Sequence, residues 1–196
     1  MNFKHVNCDL PKLSRETIDG VRYYSVPDND ELLKLVSITS VTSHHNREIF
    51  VNWRKKVGEE EANRITRKAT KRGTDMHTLT EHYLKNEDLP EVPPISEMLF
   101  KIAKSKLNLI NSIYALEGSL YSKQLGIAGT VDCIAEYDGE LAIIDFKTSK
   151  KPKPREWVEH YFVQCMAYGC MLYELTGIMI KKLVIIMACE NGECVV

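Results

Sequence analysis

At 196 residues, 44% hydrophobic and 27% charged, the chain has the make-up of a globular protein with a sizeable core, which sets aside the disordered and fibrous classes. No stretch approaches the ~20 apolar residues that cross a bilayer, and Asp9, Glu16 and Asp19 interrupt the opening segment, which reads neither as a secretion signal nor as a transit peptide. A net charge of −1 gives no general attraction for nucleic acid, so any such partner must be met by a local basic surface.

Thr17-Ile18, Asp19-Gly20 and Val21 to Val26 predict a β-hairpin with a two-residue turn. A second β-prone stretch, Leu35 to Val41, follows a polar loop. From 45 to 86 the pattern is helical and charged, with two helices separated near Gly58. Residues 87 to 94 form a loop, and Pro94 suits the first turn of a helix reaching about Asn111. Three strands are then expected, Tyr114–Ser122, Ala128–Tyr137 and Glu140–Thr148. A proline-containing loop leads into a helix over Glu156–Thr176, ended by Gly177, and an apolar strand over Lys181–Ala188. Asn191-Gly192 marks a last hairpin turn before Cys194-Val195-Val196. The order is that of an α/β (α+β) core written αβββαβ. The expected division is one domain, 1–196, made of a β-rich extension (1–44), a helical segment (45–112) and a sheet core (113–196). The six cysteines read as reduced core thiols, Cys165 and Cys170 lying about 140° apart on their helix.

Asp138-Gly139 is a strong two-residue hairpin signal. If Tyr137 pairs with Glu140, the register carries Asp132 opposite Asp145 and Thr130 opposite Lys147, all on one face. Val131, Cys133, Ala142, Ile144 and Phe146 then form the other, core-facing side. Two carboxylates facing each other across a strand pair repel. A divalent cation with oxygen ligands relieves that repulsion, and Lys147 adds a further positive charge. The same residues also allow a plain Lys147–Asp145 ion pair on a strand surface. Glu117, on the first of these strands, stands open between a site residue and a surface one.

The residues Gly129-Thr130-Val131-Asp132, Asp145-Phe146-Lys147-Thr148 and Gln164-Cys165-Met166-Ala167-Tyr168, preceded by the helical run from Gly73 through His77 to Glu81, resemble the PD-(D/E)xK nucleases in their RecB-like branch. Val131 stands where the name-giving proline would be, as is usual in that branch. Within it, Asp145 to Ser149 running into Lys151-Pro152-Lys153-Pro154, with Ser40-Val41-Thr42 upstream, is similar to the mitochondrial genome maintenance exonuclease group and its phage and bacterial relatives. The resemblance implies a restriction-endonuclease-like fold, a mixed central sheet flanked by helices. It implies a DNA exonuclease using one or two Mg²⁺ or Mn²⁺ ions on a free single-stranded end, in replication, recombination or repair. Other readings on this core are a double-strand exonuclease, a structure-specific endonuclease, or a binding module that does not cut. No membrane and no small organic cofactor are expected, the chain is expected to act as a monomer, and its place is the cytoplasm (of the host, if phage-encoded).

By this resemblance, His77, Asp132, Asp145 and the Phe146 carbonyl would hold metal, while Asp132, Asp145, Lys147 and Gln164 would carry catalysis. Lys147 would orient the attacking water or stabilise transition-state charge. Glu81, one helical turn beyond His77, would support it. Gln164 would hold the carboxylates, and Tyr168, on the same helix face, is either a DNA contact or a core aromatic. Arg72, Glu81, Thr148, Lys151 and Tyr168 make up the expected substrate-binding set, with Arg72 and the Lys150–Arg155 loop guiding the phosphate backbone. A basic helical face, Arg64 to Arg72, and that loop would otherwise be ordinary solvated surface.

Overall fold

The computed structural model describes the backbone of residues 2–45 and 47–196. Asp19 and Gly20 take positive φ (50° and 79°), as a tight hairpin turn requires, and they join β1 (Ser14–Ile18) to β2 (Val21–Asp28). Strand β3 (Glu31–Ser37) pairs antiparallel with β2. The β-prone run then departs from expectation. Ile38–His45 is helix α1, so Ser40, Val41 and Thr42 are helical, and Thr42 Oγ1 donates back to the Ile38 carbonyl.

Helices α2 (Arg47–Val57) and α3 (Glu59–Leu84) break at Gly58, whose φ of 90° favours glycine. Pro94 opens α4 (Pro94–Leu107), which ends a turn earlier than expected because β4 (Ile110–Ser122) already begins at Ile110. Strands β5 (Ile127–Tyr137) and β6 (Glu140–Ser149) follow, then a 3₁₀ turn at Arg155–Trp157, α5 (Glu159–Thr176), β7 (Lys182–Cys189) and β8 (Cys194–Val195). Gly177, in the left-handed conformation at φ 73°, stops α5 where the sequence placed its end.

The eight strands of the described residues form one mixed sheet, ordered β1-β2-β3-β5-β6-β7-β8 with β4 also on β5. The β6–β7 pair is parallel and α5 is its crossover, whereas β4–β5 and β5–β6 are antiparallel. One face buries Leu79, Leu99, Phe100 and Leu107 of α3 and α4 against Cys133, Ala142, Ile144 and Phe146. The other buries Cys165, Tyr168, Met171 and Leu172 of α5 against Val131, Ile134, Ile143 and Ile185, with Ile38 of α1. Val131 therefore packs on the opposite side from Cys133, contrary to simple alternation from the hairpin. The result is the restriction-endonuclease-like layering expected from the sequence, with helices on both faces of a mixed sheet.

Among the described residues, no helix is long and apolar enough to cross a membrane. All six cysteines are free, and Cys133, Cys165 and Cys189 are buried. Cys170 is exposed, so it is not a core thiol; its angular separation from Cys165 on α5 turns it outward.

Candidate active site

The site grows from a break in the sheet. Strand β5 is paired along one edge by β4; on its other edge β3 holds Ile127 and Ala128, and β6 holds Cys133 to Tyr137. Between those two ladders, Gly129 to Asp132 has no strand partner on that edge among the described residues. The expected register is seen from Tyr137–Glu140 to Cys133–Ile144 and ends one pair short of the aspartates. Where it ends, Asp132 Oδ2 accepts the Phe146 N–H at 2.8 Å, a side chain taking the hydrogen bond a ladder would have used.

Asp145, on β6, faces α5 and is 1% exposed. Gln164 Nε2 donates to Asp145 Oδ1 at 3.2 Å and to the Tyr168 hydroxyl at 3.3 Å. Asp145 Oδ2 receives no directed hydrogen bond but lies in ion contact with Lys147 Nζ. The Lys147 ammonium also sits 5.1 Å from the Tyr161 ring centroid. Burial, reinforced by Asp132, raises the Asp145 carboxyl above the ordinary range although Lys147 and His77 oppose it. Burial works against the Lys147 charge, but Asp145 and Asp132 outweigh it and hold the ammonium above its usual value.

From the other face, α3 brings His77. Its Nε2–H donates to the Phe146 carbonyl at 2.8 Å, which turns Nδ1 toward Asp132 Oδ2 (3.7 Å) and Glu117 Oε1 (3.9 Å). Burial disfavours the imidazolium, yet Asp132 and Glu117 push His77 up to about 9. Glu117 is the residue the sequence left open, and the structure puts it at the centre. It holds φ 49°, a left-handed conformation rare for a non-glycine residue inside a strand. The register of β4 on β5, Leu116 with Cys133 and Gly118 with Val131, brackets Glu117 opposite Asp132. A Glu-Gly pair inside a β run is the signal that points to such an irregularity.

These groups suit a divalent cation. One ligand atom each of His77, Glu117 and Asp132 lies within 4.8 Å of the others. Adjacent ligands of an octahedral Mg²⁺ stand about 3 Å apart, so the groups now 3.7 and 3.9 Å from His77 Nδ1 would draw in by under 1 Å around an ion. With Asp145, three carboxylates share one lysine and one histidine, an excess of negative charge that a cation would neutralise.

Tyr168 is 1% exposed and packs on Gly129, where an added Cβ would fall 2.7 Å from Tyr168 Cε1. It is a core aromatic that also holds Gln164. Thr130 is tied to the N-terminal hairpin through the Tyr24 hydroxyl at 3.0 Å. Lys151 is exposed on the loop after β6, and Thr148, half-buried on β6, faces Gly73 of α3 with its Oγ1 4.0 Å from a Cβ built there. Two expected substrate contacts are engaged elsewhere. Arg72 forms an ion pair with Glu190 and joins α3 to the last hairpin turn, and Glu81 accepts from Lys85 Nζ at 2.6 Å.

The profile of the PD-(D/E)XK nuclease superfamily matches residues 52–182, about two thirds of the chain. The human protein named mitochondrial genome maintenance exonuclease 1 is 34% identical over 89 residues, 43% of this chain and 25% of that protein. Its mouse counterpart is 48% identical over 48 residues (24% and 14% of the two chains), and that of Xenopus tropicalis 47% over 45 residues (23% and 13%). Each similarity thus spans a quarter or less of the relative's length. The matched span holds the Asp145–Lys147 ion pair, Asp132 and His77, and the chain belongs to the PD-(D/E)XK nuclease superfamily.

Proposed function

We propose that the chain is a Mg²⁺- or Mn²⁺-dependent exonuclease that hydrolyses phosphodiester bonds from free ends of single-stranded DNA. The observation that carries this reading is the convergence on Asp145: Lys147 in ion contact, Gln164 hydrogen-bonded, and Asp132, Glu117 and His77 grouped beside it.

Asp132, Asp145, Glu117, His77 and the Phe146 carbonyl would hold the cation, which when bound supplies a Lewis acid for the phosphoryl oxygens and lowers the pKa of water. Lys147 donates hydrogen bonds to the attacking water and to the oxygens that gain charge as the P–O bond breaks, an effect worth a few kcal/mol when the donor is preorganised. Its ion pair with Asp145 and its place against Tyr161 fix the ammonium before substrate arrives. Gln164, anchored by Tyr168, keeps the Asp145 carboxylate turned toward Lys147. The water's oxygen ends on phosphorus, the proton it loses passes to solvent, and the leaving oxygen takes a proton from solvent. Lys151 and its loop neighbours meet the phosphate backbone, so affinity falls with salt.

The test uses end-labelled linear single-stranded, circular single-stranded and duplex DNA in Mg²⁺ and, separately, in Mn²⁺. The linear single strand is cleaved and the circle survives. Cutting of the circle would refute end dependence, and faster loss of duplex would assign the site to double-stranded DNA.

A further inference from the structure

The chain has two tryptophans, and both line one open cleft of about 930 Å³ beside the reaction centre. On one wall stands α2, a helix with no buried residue, which presents Phe50 and Trp53 stacked at 5.5 Å between ring centroids. On the other stand Trp157, in the 3₁₀ turn and 67% exposed, and His160 and Tyr161 at the start of α5. Ile49, Phe50 and Trp53, spaced i, i+1 and i+4, share the side of α2 that lines the cleft, and Ile49 and Phe50 are exposed there.

We infer that this cleft is a base-stacking subsite, in which unpaired bases of a DNA strand lie against Trp53 and Trp157 while its backbone runs on to the reaction centre. The inference rests on the nuclease reading above and adds where the strand is held and what is recognised. Continuity favours this occupant. A second cleft of about 640 Å³ shares Thr42, Phe50, His160 and Tyr161 with the first and reaches Gln164, which bonds Asp145. Charge favours it as well. Lys153 lies 5.3 Å from the Tyr161 ring and donates to its hydroxyl, Lys147 lies over the same ring, and the last turn of α2 carries Arg54, Lys55 and Lys56. Glu156 and Glu159, also on the rim, leave the cleft short of uniformly basic. Aromatic walls with cations beside them are how proteins hold single strands without reading sequence, since every base offers a π-face. In a duplex those faces are already stacked and unavailable.

The two tryptophans make the test direct, because no other residue contributes indole emission. The full chain in EDTA is titrated with a short oligothymidylate, an abasic strand of equal length, and a duplex. Saturable quenching is expected from oligothymidylate alone, and the abasic strand competes for that site roughly ten-fold more weakly. Trp157→Ala and Trp53→Ala each weaken oligothymidylate binding by about the same factor, and Trp157→Phe restores most of it. Equal affinity for the abasic strand, or emission that oligothymidylate leaves unchanged, would overturn the subsite. So would emission that follows protein concentration without DNA, which would give the cleft to a second copy. Cleavage is measured on the same preparations with Mg²⁺ restored. DNA cut without quenching refutes the subsite alone, and quenching without cutting refutes the nuclease reading alone.

Discussion

Replacing each of two motif glycines by alanine should move stability in opposite directions. At Gly129 a Cβ would lie 2.7 Å from Tyr168 Cε1, 3.1 Å from Ile38 Cγ2 and 3.2 Å from the Tyr168 hydroxyl. Tyr168 is fully enclosed and cannot swing aside. Overpacking of this kind costs about 1–3 kcal/mol, and at roughly 2–4 °C per kcal/mol the melting temperature of Gly129→Ala falls by roughly 2–12 °C. A displaced Tyr168 also loosens Gln164, so activity falls in the protein that remains folded. Gly73 lies inside α3, and its Cβ would meet only Thr148 Oγ1 at 4.0 Å. Gly73→Ala therefore gains the helix preference of alanine, about 0.5–1 kcal/mol, and melts roughly 1–4 °C higher. The assay is differential scanning calorimetry in EDTA with exonuclease rates alongside. Combining Gly129→Ala with Tyr168→Leu recovers part of the lost stability. An unchanged melt for Gly129→Ala, or a fall for Gly73→Ala, would refute the packing argument.

The site's electrostatics predict a pH dependence in the metal-free protein. His77 is raised from 6.5 to about 9 in the fold, so its stabilisation is complete below pH 6.5 and is lost as pH rises toward 9. Melting temperature in EDTA should fall through that window, His77→Gln should flatten it, and an unaltered slope in the variant counts against the assignment. Glu117→Gln keeps the backbone but removes a charge, so Mn²⁺ affinity by calorimetry drops about ten-fold or more; parent-like affinity would exclude Glu117 from the ligand set. Glu117→Gly should raise stability by about 1 kcal/mol by relieving the left-handed backbone, while losing metal affinity. Cys170 should alkylate quickly in the native protein, whereas Cys133 and Cys165, enclosed and with their thiols pushed up by burial, should react only on unfolding.

Local turn chemistry made much of the sheet legible. Asp138-Gly139 and Asp19-Gly20 set two hairpins, Gly58 and Gly177 set helix ends, and the β5–β6 register followed from the first of these turns. Where the prediction stopped, contacts distant in sequence had taken over. The aspartates leave the ladder because Asp132 caps the Phe146 amide. Ser40-Val41-Thr42 is helical although its β-branched residues favour a strand, because Ile38 packs into the α5 core. Arg72 meets Glu190 across 118 residues, a pairing no local pattern announces. His77 and Gln164 were placed by helical spacing and motif, and the structure brings both beside the aspartates. Glu117 stays open in the sequence because its role depends on a left-handed backbone, at which only the neighbouring Gly118 hints. Gly129 and Tyr168, read from separate motifs, turn out to be one packing unit.

The central claim is that Lys147, held by Asp145 within the carboxylate group, carries phosphodiester hydrolysis. Single-turnover cleavage of linear single-stranded DNA by Lys147→Ala in saturating Mg²⁺, with strand binding and melting measured on the same protein, tests it most directly. The expected rate is lower by about 10²–10³, with the strand still bound and the protein still folded. A folded variant that cleaves at the parent rate would contradict it.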